Sequence, residues 1–242
     1  MEKGKSAMLL EVKDLCVAYG DIEAVHGISF GIDQGELVSI IGANGAGKTT
    51  TLRALMGLQP VRSGSIFFEG TDITHLPAHE RARTGIRIVP ERARCFPQLT
   101  VYENLLMGVY GISSKLKGEL DNIYELFPIL KERSRQSANT LSGGEQQQLA
   151  IARALVSSPR LLLVDEVSMG LMPKLAAQVF EVLRSLNKDE GFTILLVEQN
   201  ALSSLNISDR GYVLETGNII IEGTASELVR DERVRESYLG IQ

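Results

Sequence analysis

Apolar residues fall in short runs of β type, and in the later part of the chain stretches of helical periodicity separate them. The runs are LLEVKDLCVAY (9–19), LVSIIG (37–42), SIFFEG (65–70), IRIVP (86–90), LLLVDE (161–166), FTILLVEQ (192–199), GYVLE (211–215) and NIII (218–221). The helical stretches lie near 48–57, 101–109, 143–157, 174–188 and 224–237. Strands that alternate with helices predict an α/β fold built on a mainly parallel sheet flanked by helices. The early strands have no helix between them, so they are expected to form an antiparallel layer beside that sheet. Residues 92–140 read differently: VYENLLMGVY and LDNIYELFPILKER are helical and polar. They predict a helical lobe inserted between two core strands of a single domain spanning 1–242.

Composition narrows the classes. A net charge of -5 in 242 residues weighs against a chain that wraps nucleic acid. Arg81, Arg83, Arg87, Arg92 and Arg94 form a basic stretch, but no aromatic residues are interleaved to stack bases. A solvated face or a partner contact is the better reading. Cys16 and Cys95 make no CxxC pair, which fits a reducing compartment. The opening MEKGKSAMLLEV lacks the apolar run of a signal peptide, and no stretch approaches the roughly 20 apolar residues of a membrane-spanning helix. His75 and His79 have metal-like i, i+4 spacing, but Pro77 lies between them and no third ligand is near in sequence.

The chemistry is concentrated in three motifs. LVSIIGANGAGKTTTLRALMG is a strand, a glycine loop and a helix, and it contains G-x-x-x-x-G-K-[ST] in full. Gly42, Ala43, Asn44, Gly45, Ala46 and Gly47 form a loop whose N–H groups can turn inward on a polyphosphate. The helix that follows adds its positive N-terminal end. Lys48 reaches the terminal phosphates, Thr49 can ligate Mg²⁺, and Thr50 continues the cradle. LLLVDE is an apolar strand ending in two acids at the active edge of the sheet. Asp165 would hold Mg²⁺ through water. Glu166 would polarise an attacking water, a role often contributing ~10²–10⁴-fold in rate. LSGGEQQQ opens a helix with the capping box Ser142-x-x-Glu145. As local structure this is a capped helix; Ser142 and the N–H groups of Gly143 and Gly144 can also face a phosphate.

A phosphate loop, then LSGGE, then a strand ending in Asp-Glu resembles the ABC ATPase family, and the resemblance covers essentially the whole chain. It implies ATP hydrolysis with Mg²⁺ in a head-to-tail dimer, where Ser142, Gly143 and Gly144 of one chain bind the γ-phosphate held by the other. It further implies that Tyr19 of VAYG stacks on adenine, although alone Tyr19 reads equally as a core or surface residue. SMGLMP (168–173) matches the loop that contacts the dimer partner. GIRIVPERARCFPQLTVYENLLMG, LLVEQN, GYVLETG and VRESYLG are similar to a narrower group, the LivF-like ATP-binding subunits of branched-chain amino-acid importers. That group implies a second ATPase subunit, with a heterodimer favoured over a homodimer. It also implies two transmembrane permease subunits, an extracytoplasmic substrate-binding protein and a place on the cytoplasmic face of the membrane. Related urea or amide importers are the alternative, followed by a soluble ABC ATPase and then a kinase using the phosphate loop alone.

The chain departs from the family pattern at three positions. Glu91 stands where a glutamine usually touches Mg²⁺. A carboxylate can ligate the metal, but two like charges ~4 Å apart cost about 4 kcal/mol at an effective dielectric of ~20. Glu91 therefore fits only beside the metal or swung away from nucleotide, and a surface acid in a contact loop is the plain alternative. Gln199 replaces histidine; it can donate to a γ-phosphate but carries no charge. Val167 replaces a proline and removes no reacting group.

Overall fold

The computed structural model describes residues 8–109 and 116–239, without the side chains of 116, 117 and 239. The first seven residues of the opening segment, Tyr110 of VYENLLMGVY and Gly240 of VRESYLG lie outside this range.

The chain opens with a long hairpin, β1 (Met8–Tyr19) and β2 (Ile22–Asp33), and β3 (Leu37–Ile41) leads into α1 (Lys48–Leu55). Next come β4 (Val61–Phe68), β5 (Thr71–Asp72), α2 (Ala78–Arg83) and β6 (Ile86–Val89). Helices follow without strands: α3 (Val101–Gly108), α4 (Leu116–Leu126), α5 (Pro128–Glu132) and α6 (Gly143–Leu155). The alternation then resumes with β7 (Leu161–Asp165), α7 (Pro173–Lys188), β8 (Thr193–Glu198), α8 (Ala201–Leu205), β9 (Arg210–Glu215) and β10 (Asn218–Thr224). The predicted helix at 224–237 is instead broken into short turns, α9 (Ala225–Leu228) and α10 (Glu232–Val234), each begun by its own cap, Thr224 and Asp231.

Six strands form the main sheet in the order β10-β9-β3-β8-β7-β6. All its pairs are parallel except β9 with β10. The second sheet, β2-β1-β4-β5, is antiparallel, as the early strands predicted. Its strand β2 does not stand out in the sequence. His26 and Gly27, the glycine at φ 73°, interrupt its alternation where the register with β1 shifts.

Strands β3, β7 and β8 are buried along their whole length because both faces of the sheet are covered. Val38, Ile40, Leu163, Leu195 and Val197 pack toward the antiparallel layer. Leu37, Leu162, Val164, Ile194 and Leu196 pack on the other face with Leu149 of α6, Leu183 of α7 and Leu130 of α5. The helices between the paired strands β6 and β7 thus share one core with the sheet. Asp165 ends β7 opposite Val197, and Ile41 ends β3 opposite Glu198, so three strand ends meet on one edge.

Candidate nucleotide site

The chain leaves β3 at Ile41 through a passage that admits no side chain at position 42. A Cβ on Gly42 would lie 2.2 Å from the Leu214 carbonyl oxygen. At the other end of the loop, Gly47 has φ 106° and its Cβ would meet the Ala24 oxygen at 2.8 Å. The tight wrap is therefore set by neighbouring backbone of β2 and β9. Gly217 N–H donates to Ala46 O, and His26 N–H donates to Gly217 O, which ties the loop to both sheets. No side chain caps α1, so the first N–H groups of that helix remain available to an anion.

Lys48 is 3% exposed. Its Nζ donates to Gly42 O at 2.8 Å and Ala43 O at 3.0 Å, and lies 3.0 Å from Glu166 Oε1. The Thr49 hydroxyl donates to Asp165 Oδ1 at 2.9 Å. The phosphate loop and the two acids of LLLVDE thus lie together at one sheet edge. Burial pushes the Asp165 carboxyl above the usual range; the Thr49 bond and Lys48 oppose the rise, and Glu166 and Glu91 add to it. Glu166 sits at φ 40°, in the left-handed region, and its N–H donates to Val197 O at 3.0 Å. A non-glycine residue held there is strained by roughly 1–2 kcal/mol, which is common at working sites.

Glu91 lies near enough to act on Asp165, and its own carboxylate takes a 2.9 Å ion pair from Arg92 Nε. Gln199 is exposed immediately beyond β8, and Tyr19 is exposed at the tip of the β1–β2 hairpin. Ser142 caps α6 with the full capping box: Ser142 N–H donates to Glu145 Oε2 at 2.8 Å, and Glu145 N–H to Ser142 Oγ at 3.4 Å. Burial disfavours charge on Glu145, but the bonds from Ser142 and the Arg133 ion pair at 3.0 Å outweigh it and hold its pKa low. Ser142 bonds within its own helix, Gly143 faces Leu171 and Gly144 faces Leu175. This second phosphate-type helix end is thus not joined to Lys48 and Thr49 by its own contacts.

Two buried charged side chains stand outside the sequence expectations: Glu198 carries none, and Arg81 is expected on a solvated face or partner contact. Glu198 is 1% exposed at the end of β8 and binds Ser168 twice. An acid closing an apolar strand, the pattern that marked Asp165, also marks it. Arg81 departs from the expected solvated face. It is 2% exposed, and its guanidinium donates to the carbonyls of Ala54, Leu55, Thr74 and Leu76. The other arginines of that stretch divide: Arg83 and Arg87 line a groove of about 550 Å³ with Ile88, Phe96, Met107 and Arg153.

The oxygen donors Thr49 and Asp165 suit a hard cation such as Mg²⁺. Among the described residues no three His, Cys, Asp or Glu are grouped to hold a metal, so phosphate oxygens would complete its shell.

A parallel sheet, a glycine loop at the end of its central strand and a buried lysine beneath that loop define a P-loop nucleotide-binding protein. Residues 25–169 match the family model described as ABC transporter, and this chain belongs to that family and is an ATP hydrolase. It is 47% identical to the high-affinity branched-chain amino acid transport ATP-binding protein BraG of Pseudomonas aeruginosa, over 96% of this chain and 100% of that one. It is 38% identical to the probable branched-chain amino acid transport ATP-binding protein LivF of Archaeoglobus fulgidus, over 97% and 99%. Among solved structures, the ADP conformation of MJ1267, an ATP-binding cassette of an ABC transporter, superposes with a TM-score of 0.84 at 28% identity, covering 96% of this chain and 99% of that one.

Proposed function

We propose that this chain is the ATP-hydrolysing subunit that energises an importer of branched-chain amino acids, as the names of its relatives suggest. The observation that carries the mechanism is the convergence of Lys48, Thr49, Asp165 and Glu166 at one sheet edge. The loop 42–47 and the N–H groups of α1 hold the phosphates of ATP. Lys48 turns its ammonium toward the β- and γ-phosphates. Thr49 and Asp165 would hold Mg²⁺, and Glu91 could add a carboxylate to it. When bound, Mg²⁺ supplies Lewis-acid neutralisation of the phosphate charge. Glu166 takes the proton of the attacking water, and Gln199 donates to the γ-phosphate. Tyr19 covers the adenine.

Ser142, Gly143 and Gly144 complete the site of a partner ATPase. The separation of their contacts from the phosphate loop supports a shared site over an internal one. The favoured partner is a second, related ATPase subunit. The groove lined by Arg83, Arg87, Phe96, Met107 and Arg153 receives a permease subunit at the cytoplasmic face of the membrane, one of two such subunits, and the helices within 92–140 pass motion to it. No helix among the described residues is long and apolar enough to cross a membrane. An extracytoplasmic binding protein delivers the cargo.

The test is the solution mass of Glu166→Gln protein by light scattering, with and without Mg-ATP. Binding of ATP with no change of mass supports a different partner chain. An ATP-driven dimer replaces the heterodimer with a homodimer. Near-normal hydrolysis by this variant overturns Glu166 as the base.

A further inference from the structure

The turn after β7 is fastened to the end of β8 by three hydrogen bonds. Glu166 N–H donates to Val197 O at 3.0 Å. Ser168 N–H donates to Glu198 Oε1 at 3.0 Å, and the Ser168 hydroxyl donates to Glu198 Oε2 at 2.9 Å. Each carboxylate oxygen thus takes one donor from the same residue, a two-point grip that fixes Ser168 in orientation as well as in place. A backbone N–H at Asn200 also supports the Glu198 carboxylate.

This carboxylate is 1% exposed and Glu166 faces it with like charge. An acid so placed has no solvent to compensate it, so its bonds to Ser168 and Asn200 are its main support. Strain lies on the other side of the grip. Glu166 is held at φ 40° only two residues before Ser168. A left-handed glutamate persists only where its surroundings over-determine it. Val197 holds its N–H, and Glu198 holds the chain just beyond it.

We propose that Glu198 is a positioning residue for ATP hydrolysis: gripping Ser168, it sets the backbone that aims the Glu166 carboxylate and carries the 168–172 loop. This rests on the reading of Glu166 as the base. Glu198 also stands one residue before Gln199, so the same grip joins the γ-phosphate donor to the loop expected to meet the partner ATPase.

The experiment compares Glu198→Ala, Glu198→Gln, Ser168→Ala and Ser168→Thr in the assembled transporter. It reads kcat and KM for ATP, together with amide hydrogen exchange over residues 166–172. Misplacing a reacting group by about 1 Å costs up to ~10²-fold. Glu198→Ala is therefore expected to lower kcat about 10- to 100-fold with KM unchanged, and to speed exchange at Ser168. Ser168→Ala should lose less, Ser168→Thr should stay near the unaltered rate, and Ala at both positions should be no slower than Glu198→Ala alone. If Glu198→Ala does not fold, Ser168→Ala, which removes the hydroxyl half of the grip, takes its place, and an unaltered kcat there would overturn the proposal; Glu198→Gln can accept from the Ser168 N–H and donate to the Ser168 hydroxyl, so it should keep most of the rate. Unchanged kcat, a KM rise without a kcat loss, or losses that multiply in the double variant would each overturn the proposal. In a Glu166→Gln background, Glu198→Ala should slow turnover no further. A further loss there shows that Glu198 does not act through Glu166. Near-normal turnover by Glu166→Gln alone instead refutes the base, and the exchange data still decide whether Glu198 holds the loop.

Discussion

Neutralising Asp165 should make the protein more stable and much less active. In Asp165→Asn the side chain keeps its shape and can still accept from the Thr49 hydroxyl, now 2.9 Å from Oδ1. What it loses is a charge that is 5% exposed and faces Glu166 and Glu91. Burial and these neighbours raise the folded-state pKa above the ordinary value near 3.9. The folded chain thus favours the protonated acid more than the unfolded chain does. The stability it brings is complete below the unfolded pKa and is lost as pH rises through the folded one. Asparagine suffers no such loss, so the variant should gain on the unaltered chain as pH rises above the ordinary carboxylate value. Single stabilising substitutions commonly gain about 0.5–2 kcal/mol, and a gain in that range is expected here. At about 2–4 °C per kcal/mol for a chain of this size, Tm at pH 7.5 should rise by roughly 1–8 °C. Mg-ATP should stabilise the unaltered protein by mass action but help the variant less, and turnover should fall at least ~10²-fold. Thermal melts across pH with and without Mg-ATP decide it. A variant less stable at neutral pH, or a gap that does not change with pH, would refute the charge argument.

Three further substitutions test the rest. Lys48→Ala should weaken ATP binding about 10²-fold or more, since charge-assisted hydrogen bonds are worth 1.5–3 kcal/mol each and 1.4 kcal/mol is tenfold; titration calorimetry showing equal affinity would sink the phosphate-loop role. Ser142→Arg should leave ATP binding by the separate chain intact, lower stability by about 1 kcal/mol through the lost cap, and abolish hydrolysis in the assembly. Full activity there contradicts a shared site. Arg81→Met should lower stability by about 3–5 kcal/mol in urea unfolding, because four carbonyls lose their donor inside the core. A loss below ~1 kcal/mol would mean that they find other partners.

Much of this architecture was legible because the parallel strands are buried on both faces and must therefore be written as apolar runs. LVSII, LLLVD and TILLVE are too short for typical helices, and the phosphate loop declares its own strand and helix. β2 was hidden by a bulge at His26 and Gly27, where pairing survives although alternation fails. Arg81 was misleading for another reason. Its charge marks a surface in sequence, but carbonyls at the end of α1 make a polar pocket that composition cannot reveal. Glu198 was visible as an acid ending an apolar strand, yet its partner Ser168 is 30 residues away and joined to it only by the parallel pairing of β7 and β8.

Strain and unfavourable charge share one location. Among the described residues, eight non-glycine residues have positive φ, and four of them, Arg92, Ala93, Arg94 and Glu166, lie in the two segments that follow β6 and β7. The same edge carries Asp165 and Glu198, both with carboxyls raised by burial. A fold selected for stability alone would relax such features, because neutral side chains and glycines fit those positions at lower cost. The frame beneath obeys the opposite rule: Arg81 is buried with four acceptors, and β3, β7 and β8 are buried along their whole length and mainly apolar up to the acids that end β7 and β8. Stability and turnover measured on the same variants therefore sort residues by role. A substitution that raises the first and lowers the second, as expected at Asp165, belongs to the working edge. One that lowers stability and takes activity with it only as the fold is lost, as expected at Arg81, belongs to the frame that holds that edge in place.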